Sequence, residues 1–348
     1  MKKIKIDNFE LSNGSVYIIA ELSGNHSNDL NIALESLLAA KNAGANAMKI
    51  QTFTADSMTL DINEEQFMCN PNGLWKGKKL YDVYKEAALP FEWYEKLFNY
   101  AKKIGITLFS TPFDTQTVDF LEKFDVSAYK IASFEITDYE LIRYVASKKK
   151  PIIISTGIAT IDEIQDVVRI CRDEGNENII LLKCTSSYPS PIEDANLLTI
   201  KNIEETFGVL SGFSDHTLGI TAPIVAVCLG AKVIEKHFIL DKKIKGIDSE
   251  FSLDKNEFKQ MVEAIRDAEK LIGKVDYSLD EKRKNNRRAC RSLYIVEDMK
   301  KGDFFSSKNV RSIRPGFGLH PKYLNKILGK RINTHVSRGT ALDFKYLD

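Results

Sequence analysis

The sequence predicts a (β/α)8 barrel followed by a small C-terminal domain. Eight short β-rich runs alternate with segments of helical periodicity. Polar side chains stand at the end of nearly every predicted strand, and a closed barrel gathers all carboxyl strand ends at one face. An open doubly wound sheet would concentrate its chemistry at one switch point, and the first strand is not followed by a dinucleotide glycine fingerprint.

The predicted strands and helix ends can be assigned one by one. The strands are Val16–Ala20, Ala47–Ile50, Thr107–Ser110, Ala128–Ile131, Ile152–Ser155, Ile179–Lys183, Val209–Gly212 and Lys232–Glu235. Gly105 and Gly208 stand where helices give way to strands, a position that favours a left-handed C-cap. Asp254 and Glu257 predict a capping box that begins the last barrel helix, and Gly273 predicts its end.

Two segments interrupt the alternation of strands and helices, and they predict the domain organisation. The barrel is expected over residues 1–274, a charged linker over 275–288, and a second domain of short strands and turns over 289–348. Residues 53–92 are too long for an ordinary β-α loop and predict a lid or a partner surface.

Composition and charge exclude several classes of protein. The chain has 348 residues, of which 43 % are hydrophobic and 28 % charged, as is typical of globular enzymes. A net charge of +1 gives no overall field to attract nucleic acid or a membrane surface. The basic start lacks the apolar run of a signal peptide, and the five cysteines form no C-x-x-C pair. We therefore expect a soluble, cytoplasmic protein with reduced thiols.

Two histidines follow the last two predicted strands. His216 lies in SDHTLG and His237 in EKHF, so adjacent strands would bring the imidazoles together at one face. Two neutral imidazoles with open positions suit a divalent ion such as Mn²⁺ or Zn²⁺. The alternative is a pair of histidines that bond to nearby carboxylates.

Lysines and hydroxyls form a second set at the strand ends. The lysines are Lys49, Lys130, Lys183 and Lys236; the hydroxyl residues include Ser110, Thr111, Ser133, Ser155, Thr156, Thr185, Ser186 and Ser214. A buried lysine needs an anion, and such a set predicts a phosphate and carboxylate site. The alternative is ion pairing with Glu21, Glu135 and Glu235 inside the barrel.

Carboxylates and one arginine complete the candidates. Glu21, Glu135 and Asp248 follow strands and could move protons or bind sugar hydroxyls, although acidic loop residues also serve solubility. Arg314 lies in RSIRPGFGLHP, where Pro315 and two glycines favour a fixed loop. It is either a surface residue on a turn or a group that covers the barrel of a partner subunit.

These motifs resemble a known family. The stretches AELSGNHSNDL, MKIQTF, STPFD, YKIASFE, ISTGIAT, CTSSYPSP, GFSDHTLGI and IEKHFILD occur in this order. Together they are similar to the sialic acid synthase family, and the tail from residue 287 resembles its antifreeze-like (SAF) domain. The resemblance implies a transferase that condenses phosphoenolpyruvate with an amino-sugar aldehyde, uses Mn²⁺, Mg²⁺ or Co²⁺, and forms a domain-swapped homodimer.

The resemblance also implies roles for individual residues. The metal would be held by His216 and His237, and Tyr188 would lie beside the phosphoenolpyruvate. Phosphoenolpyruvate would be held by Lys49, Thr111, Lys130, Ser133, Ser155, Ser214 and, where the family has asparagine, Ser186. The sugar would be contacted by Glu21, Glu135, Asp248 and, from the partner subunit, Arg314.

One departure from the family pattern bears on the sugar. Where the family typically has Pro-Asp-His, this chain reads Ile247, Asp248 and Ser249, which resembles the pseudaminic acid synthase branch. That branch uses a 2,4-diacetamido-2,4,6-trideoxy-L-altrose, and Phe251 would offer apolar surface to the methyl group of a deoxy sugar. The alternatives are an N-acetylneuraminate or legionaminate synthase, a metal-dependent aldolase or hydrolase, and a non-catalytic carbohydrate-binding protein.

Overall fold

The computed structural model describes residues 3–11, 14–71, 75–244 and 246–348. Two compact units are present, Met1–Gly273 and Lys274–Asp348. The first unit is a barrel of parallel strands surrounded by helices, and the second is a small domain with an antiparallel sheet. The predicted fold class is therefore confirmed.

A closed ring of eight parallel strands forms the first unit. Ahead of the barrel, β1 (Ile4–Ile6) and β2 (Phe9–Leu11) make an antiparallel hairpin. The barrel strands are β3 (Tyr17–Glu21), β4 (Ala47–Thr52), β5 (Thr107–Pro112), β6 (Tyr129–Ile131), β7 (Ile152–Ser155), β8 (Ile179–Cys184), β9 (Leu210–Asp215) and β10 (Val233–Ile239). Each pairs with the next, and β10 pairs with both β9 and β3, which closes the barrel. A short β11 (Leu253–Asp254) pairs with the end of β10.

Helices follow the strands as the apolar spacing predicts. They are α1 (Leu30–Asn42), α2 (Ala55–Met58), α3 (Leu80–Ala87), α4 (Tyr94–Ile104), α5 (Thr115–Glu122), α6 (Tyr139–Ser147), α7 (Ile161–Asp173), α8 (Thr199–Phe207), α9 (Thr221–Cys228) and α10 (Lys255–Ile272). The capping box of Asp254 with Glu257 is confirmed at the start of α10. Gly105 and Gly208 end α4 and α8 in the left-handed conformation, where a Cβ would be strained.

The barrel wall is apolar along the strands and polar at their ends. All four residues of β7, Ile152–Ser155, are buried, because parallel strands are covered on both faces. The insertion at 53–92 holds α2 and α3, and its residues 72–74 lie outside the described residues. Within the described ranges, no helix combines the length and apolar character needed to cross a bilayer.

Strand β10 extends further than the sequence predicted. The prediction ended it at Glu235, so that His237 would lie in the following loop. In the structure His237 pairs with Glu21 of β3, and Phe238 and Ile239 pair with β11. His237 is therefore a strand residue through its pairing with β3, and the pairing with β11 extends the strand by two further residues.

The second unit has its own apolar core. After α11 (Glu281–Asn286), β12 (Ser292–Ile295) and β13 (Val310–Ile313) pair antiparallel, and α12 (Leu324–Ile327) follows. Its core consists of Leu293, Ile295, Met299, Phe305, Val310, Ile327, Ile332, Val336 and Leu342. The predicted linker, 275–288, thus includes the short helix α11; its role as a linker stays a prediction.

Candidate active site

The carboxyl ends of the barrel strands meet at one face, here called the barrel mouth. The predicted barrel residues lie at this mouth, linked by the contacts described below: Glu21, Lys49, Thr111, Lys130, Ser133, Glu135, Ser155, Ser186, Tyr188, Ser214, His216, His237, Asp248 and Phe251. Arg314 directly follows β13 in the second unit. Its proposed reach into a partner's barrel therefore stays a prediction.

Lys49 is a buried ammonium held by carboxylates. Its Nζ lies 2.8 Å from Glu21 Oε2 and 3.7 Å from Glu235 Oε1, and it donates to Thr111 Oγ1 at 3.0 Å. Burial alone would lower the pKa of Lys49, but the charges of Glu21 and Glu235 outweigh it and raise the pKa. The ion-pairing alternative is correct for this lysine, and the pairing keeps it charged near neutral pH.

Lys130 is equally buried but lies among neutral partners. Its Nζ donates to Ser155 Oγ at 2.7 Å and to the carbonyl of Ile131 at 3.0 Å, and Glu235 Oε1 is 3.9 Å away. Burial lowers the pKa of Lys130, and the positive charge of Lys49 adds to that effect. An incoming anion would offset the free-energy cost of burying the charged ammonium group of Lys130. The two lysines together therefore favour an anionic ligand.

A small hydroxyl cluster lies next to the lysines. Ser186 Oγ donates to Ser133 Oγ at 2.9 Å, and the backbone N–H of Ile158 donates to the same Ser133 oxygen at 3.1 Å. A Cβ at Gly157 would lie 2.4 Å from Ser186 Oγ and 2.8 Å from Ser133 Oγ. The glycine therefore leaves the space that lets both hydroxyls turn toward a ligand.

The other two strand-end lysines are bound to the protein itself. Lys236 donates to Asp215 Oδ2 at 2.6 Å, and both side chains are fully buried. Lys183 donates to the carbonyl of Cys184 at 2.6 Å. The prediction of one cradle with four lysines is therefore wrong for Lys236, because its ammonium already has a carboxylate partner.

The two predicted histidines lie side by side. Their ring centroids are 5.3 Å apart. The ring of His216 is held by a hydrogen bond from its Nδ1 to the carbonyl of Thr185 at 3.0 Å, which leaves Nε2 as the acceptor nitrogen. Among the described residues, Nδ1 of His237 is buried with no hydrogen-bond partner and lies 3.9 Å from Asp248 Oδ2. The alternative of two satisfied histidines therefore fails for His237.

These imidazoles fit a divalent cation. Burial, reinforced by the charges of His216 and Lys49, holds the pKa of His237 well below its usual value, so the ring is neutral. At His216 burial lowers the pKa, but the charge of Cys184 outweighs it and raises the pKa above its usual value, so a cation that binds there displaces a proton. Unprotonated imidazoles suit transition-type ions. In the part of the chain that the structure describes, no group of three or more His, Cys, Asp or Glu is arranged around one ion. Further ligands would have to come from water or substrate.

Carboxyl groups with unusual environments surround the histidines. Burial raises the pKa of Glu135 to about 7, opposed by the charge of Lys130, and in the part of the chain that the structure describes one carboxyl oxygen has no hydrogen-bond partner. Burial likewise raises the pKa of Asp248, although Ser23 and Gly24 donate hydrogen bonds to it. A carboxyl group whose pKa lies near neutral pH, as that of Glu135 does, can both donate and accept a proton, as general acid–base catalysis requires.

Two neighbours were not among the predicted site residues, although Glu235 was named as a possible ion-pair partner. Glu235 lies close to both lysines, and one of its oxygens is buried with no hydrogen-bond partner among the described residues. Gln51 donates to Glu21 Oε1 at 2.8 Å and to Ser23 Oγ at 3.0 Å. Glu235 could have been identified because successive side chains alternate between the two faces of a strand. This alternation places Glu235 on the same face as His237.

Aromatic rings enclose the histidines. The ring of Tyr188 lies 4.4 Å from that of His216, and Phe251 lies 4.8 Å from His237 and 5.2 Å from Tyr188. Phe251 is buried, so its contact with a sugar stays a prediction, while its contact with His237 is direct. The rings shield the imidazoles on one side.

Comparison with known proteins agrees with this site. The chain matches the NeuB family over residues 37–277 and the SAF domain over residues 291–347. It is 50 % identical to a pseudaminic acid synthase of Campylobacter jejuni, over 97 % of this chain and 98 % of the relative. It is 46 % identical to a pseudaminic acid synthase of Helicobacter pylori, over 93 % and 96 %.

A solved structure has the same fold. The N-acetylneuraminic acid synthetase of Leptospira borgpetersenii superposes with a TM-score of 0.73 at 31 % identity, over 82 % of this chain and 95 % of that one. The family match covers most of the barrel, and the identities extend over nearly the whole chain. This chain is therefore an enzyme of the NeuB family, the family of the sialic acid synthases.

Proposed function

We propose that this enzyme condenses phosphoenolpyruvate with 2,4-diacetamido-2,4,6-trideoxy-L-altrose to give pseudaminic acid and phosphate. One observation carries the proposal: Lys49 and Lys130 are buried beside two adjacent imidazoles in one barrel mouth. Such a site fits an anionic three-carbon donor next to an aldehyde, with the histidines placed to hold a divalent ion. The names of relatives at 46–50 % identity support the choice of sugar.

The phosphoenolpyruvate site would be built from the cations and hydroxyls of β4 to β9. Its proposed residues are Lys49, Thr111, Lys130, Ser133, Ser155, Ser186 and Ser214. The lysines offset the charge of the phosphate and carboxylate, and the hydroxyls donate hydrogen bonds to their oxygens. Ser186 has one donor, so it binds less extensively than the asparagine expected at this position.

The metal and sugar sites would lie beside it. His216, after losing its proton, and His237 would hold a divalent ion, Mn²⁺, Mg²⁺ or Co²⁺, through ring nitrogens. When bound, such an ion supplies Lewis-acid polarisation to the aldehyde oxygen. Glu21 and Asp248 would accept hydrogen bonds from the open-chain sugar, and Phe251 would face its methyl group.

The bond changes then follow from the positions of the side chains. C3 of phosphoenolpyruvate would form a bond to the aldehyde carbon as the aldehyde π bond opens, which leaves an alkoxide on that carbon and a cationic C2, while Lys49 and Lys130 hold the donor. Glu135 would hold the water that adds to C2, take up its proton and pass it to the alkoxide. The C2–O bond to phosphate then breaks as the ketone forms, and phosphate leaves with the proton of the C2 hydroxyl. Tyr188 would pack beside the reacting carbons.

Phosphate release from phosphoenolpyruvate and each candidate sugar tests the proposal. We expect the highest kcat/KM with the diacetamido trideoxy altrose, and slower release with N-acetylmannosamine or the legionaminic acid precursor. In ¹⁸O water the label should enter the keto acid and not the phosphate, since the C–O bond breaks. A higher kcat/KM with one of the other sugars would instead support the alternative, an N-acetylneuraminate or legionaminate synthase.

A further inference from the structure

A buried ion pair links the two strands that carry the histidines. Asp215 is the last residue of β9, and Lys236 is its direct partner in the ladder with β10. Nζ of Lys236 lies 2.6 Å from Asp215 Oδ2, and both side chains are 0 % exposed. The reaction proposed above does not use either group, and buried charges are expensive. This pair therefore needs its own explanation.

The pair lies on the outer face of the barrel wall. Side chains alternate between the two faces of a strand. Glu235, adjacent to Lys236, points into the mouth, where its Oε1 is 3.7 Å from Lys49 and 3.9 Å from Lys130. Lys236 and Asp215 consequently face the surrounding helices and do not reach the substrate side.

The pair also fixes the backbone on the far side of His216. Asp215 Oδ1 accepts from the N–H of Thr217 at 2.8 Å, and Lys236 donates to the carbonyl of Thr217. Both backbone groups of Thr217 are thus bound by the two charged side chains. His216 lies between Asp215 and Thr217, and His237 directly follows Lys236.

Other contacts hold His216 from the opposite side. Its Nδ1 donates to the carbonyl of Thr185 at 3.0 Å, and its own carbonyl accepts from the N–H of Ser190 at 2.9 Å. In addition to the β9–β10 ladder, the ion pair joins the chain at His216 to the residue preceding His237. It therefore restrains the backbone positions from which the two rings extend.

We infer that Asp215 and Lys236 are positioning residues that set the geometry of the two histidines and thereby the affinity of this site for a divalent cation. The inference rests on the proposed metal role of His216 and His237. A displacement of about 1 Å in such a site is enough to lower turnover roughly 100-fold.

Mn²⁺ binding to the full chain, measured by titration calorimetry with phosphoenolpyruvate present, tests this inference. The main variant is Asp215→Leu with Lys236→Met, because replacing both partners by apolar groups leaves no unpaired charge. Asp215→Asn is the second variant; it keeps an acceptor for Thr217 but loses the anion. Asn176→Ala, in the loop before β8, is the control. It removes hydrogen bonds from Asn176 to the carbonyls of Ala146 and Lys150, away from the histidines.

We expect the double variant to bind Mn²⁺ at least 10-fold more weakly, and Asp215→Asn to fall between it and the original protein. Asn176→Ala should lower the urea midpoint in chelator without changing the Mn²⁺ Kd. An unchanged Kd in both Asp215 variants would overturn the inference. Failure of the original protein to bind Mn²⁺, or binding retained by His237→Ala, would instead refute the two-histidine metal site.

Discussion

The carboxyl group of Glu135 connects stability to activity in a measurable way. It lies in the turn Ser133–Glu135 directly after β6, and its Oε2 is buried without a hydrogen-bond partner. Burial raises its pKa from 4.5 to about 7 despite the nearby charge of Lys130. The folded protein therefore holds a proton there that the unfolded chain releases.

The perturbation is Glu135→Gln, which keeps the shape of the side chain and removes its titration. A change in pKa from 4.5 to about 7 corresponds to ~3 kcal/mol. Since Glu135 is only partly shielded from water, we expect about 1–2 kcal/mol. The folded pKa is raised, so stability is lost as pH rises from 4.5 to 7, and the variant should be the more stable protein at pH 8.

Two assays over the same pH range check this prediction. Urea unfolding should show the gain of Glu135→Gln at pH 8 and little gain near pH 4. For the original enzyme, kcat/KM should rise through an apparent pKa near 7 as the carboxylate forms, and the variant should lack this rise and be roughly 100-fold slower. Glu35→Gln, an exposed change on α1, is the control.

Either measurement can refute the reasoning. Parallel stability profiles for the original protein and Glu135→Gln would mean that the carboxyl is solvated and its pKa ordinary. A rise of kcat/KM near pH 7 that survives in the variant would assign the proton transfer to another group. A Glu35→Gln variant with the same effects would show that the change is one of net charge.

Three further changes test the anion site and the assembly. Gly157→Ala should raise KM for phosphoenolpyruvate about 10-fold with little loss of stability, because the new methyl displaces the serine hydroxyls; unchanged KM would contradict this. Lys130→Met should raise the same KM roughly 100-fold, since a charged hydrogen-bond donor is lost; steady-state phosphate release measures both. Mixed dimers of Arg314→Ala and His237→Ala chains should regain activity if Arg314 acts in the partner's barrel, whereas no recovery would favour self-contained chains.

Much of this fold follows from local rules that act along the sequence. Residue patterns with a period of two in strands and of three to four in helices identified the barrel. The capping box at Asp254 could be predicted because its partner, Glu257, is three residues away. The position of His216 beside His237 was also predictable, since parallel strands end at the same face of a barrel. None of these inferences depends on a contact between two residues that only the packing of the folded protein brings together.

The face of a strand residue was harder to predict near a strand end. The sequence grouped Lys236 with Lys49 and Lys130, but Lys236 points outward to Asp215. The error came from ending the last strand at Glu235. Had the strand been continued to His237, alternation would have placed Glu235 and His237 inside and Lys236 outside. The length of β10 depends on the pairing of His237 with Glu21 of β3 and of the next two residues with β11, and no local sequence pattern predicts either pairing.

The charge balance at the barrel mouth explains why its groups differ in pKa although all are buried. Lys49 touches a carboxylate and stays charged, while Lys130 touches a hydroxyl and a carbonyl and loses part of its preference for the proton. No ion pair of Glu135 is present among the described residues, so burial dominates and brings its pKa close to neutral pH. A substrate anion between the lysines would complete this balance. The unpaired groups thus lower the stability of the free enzyme while they favour binding, as is expected of a preorganised site.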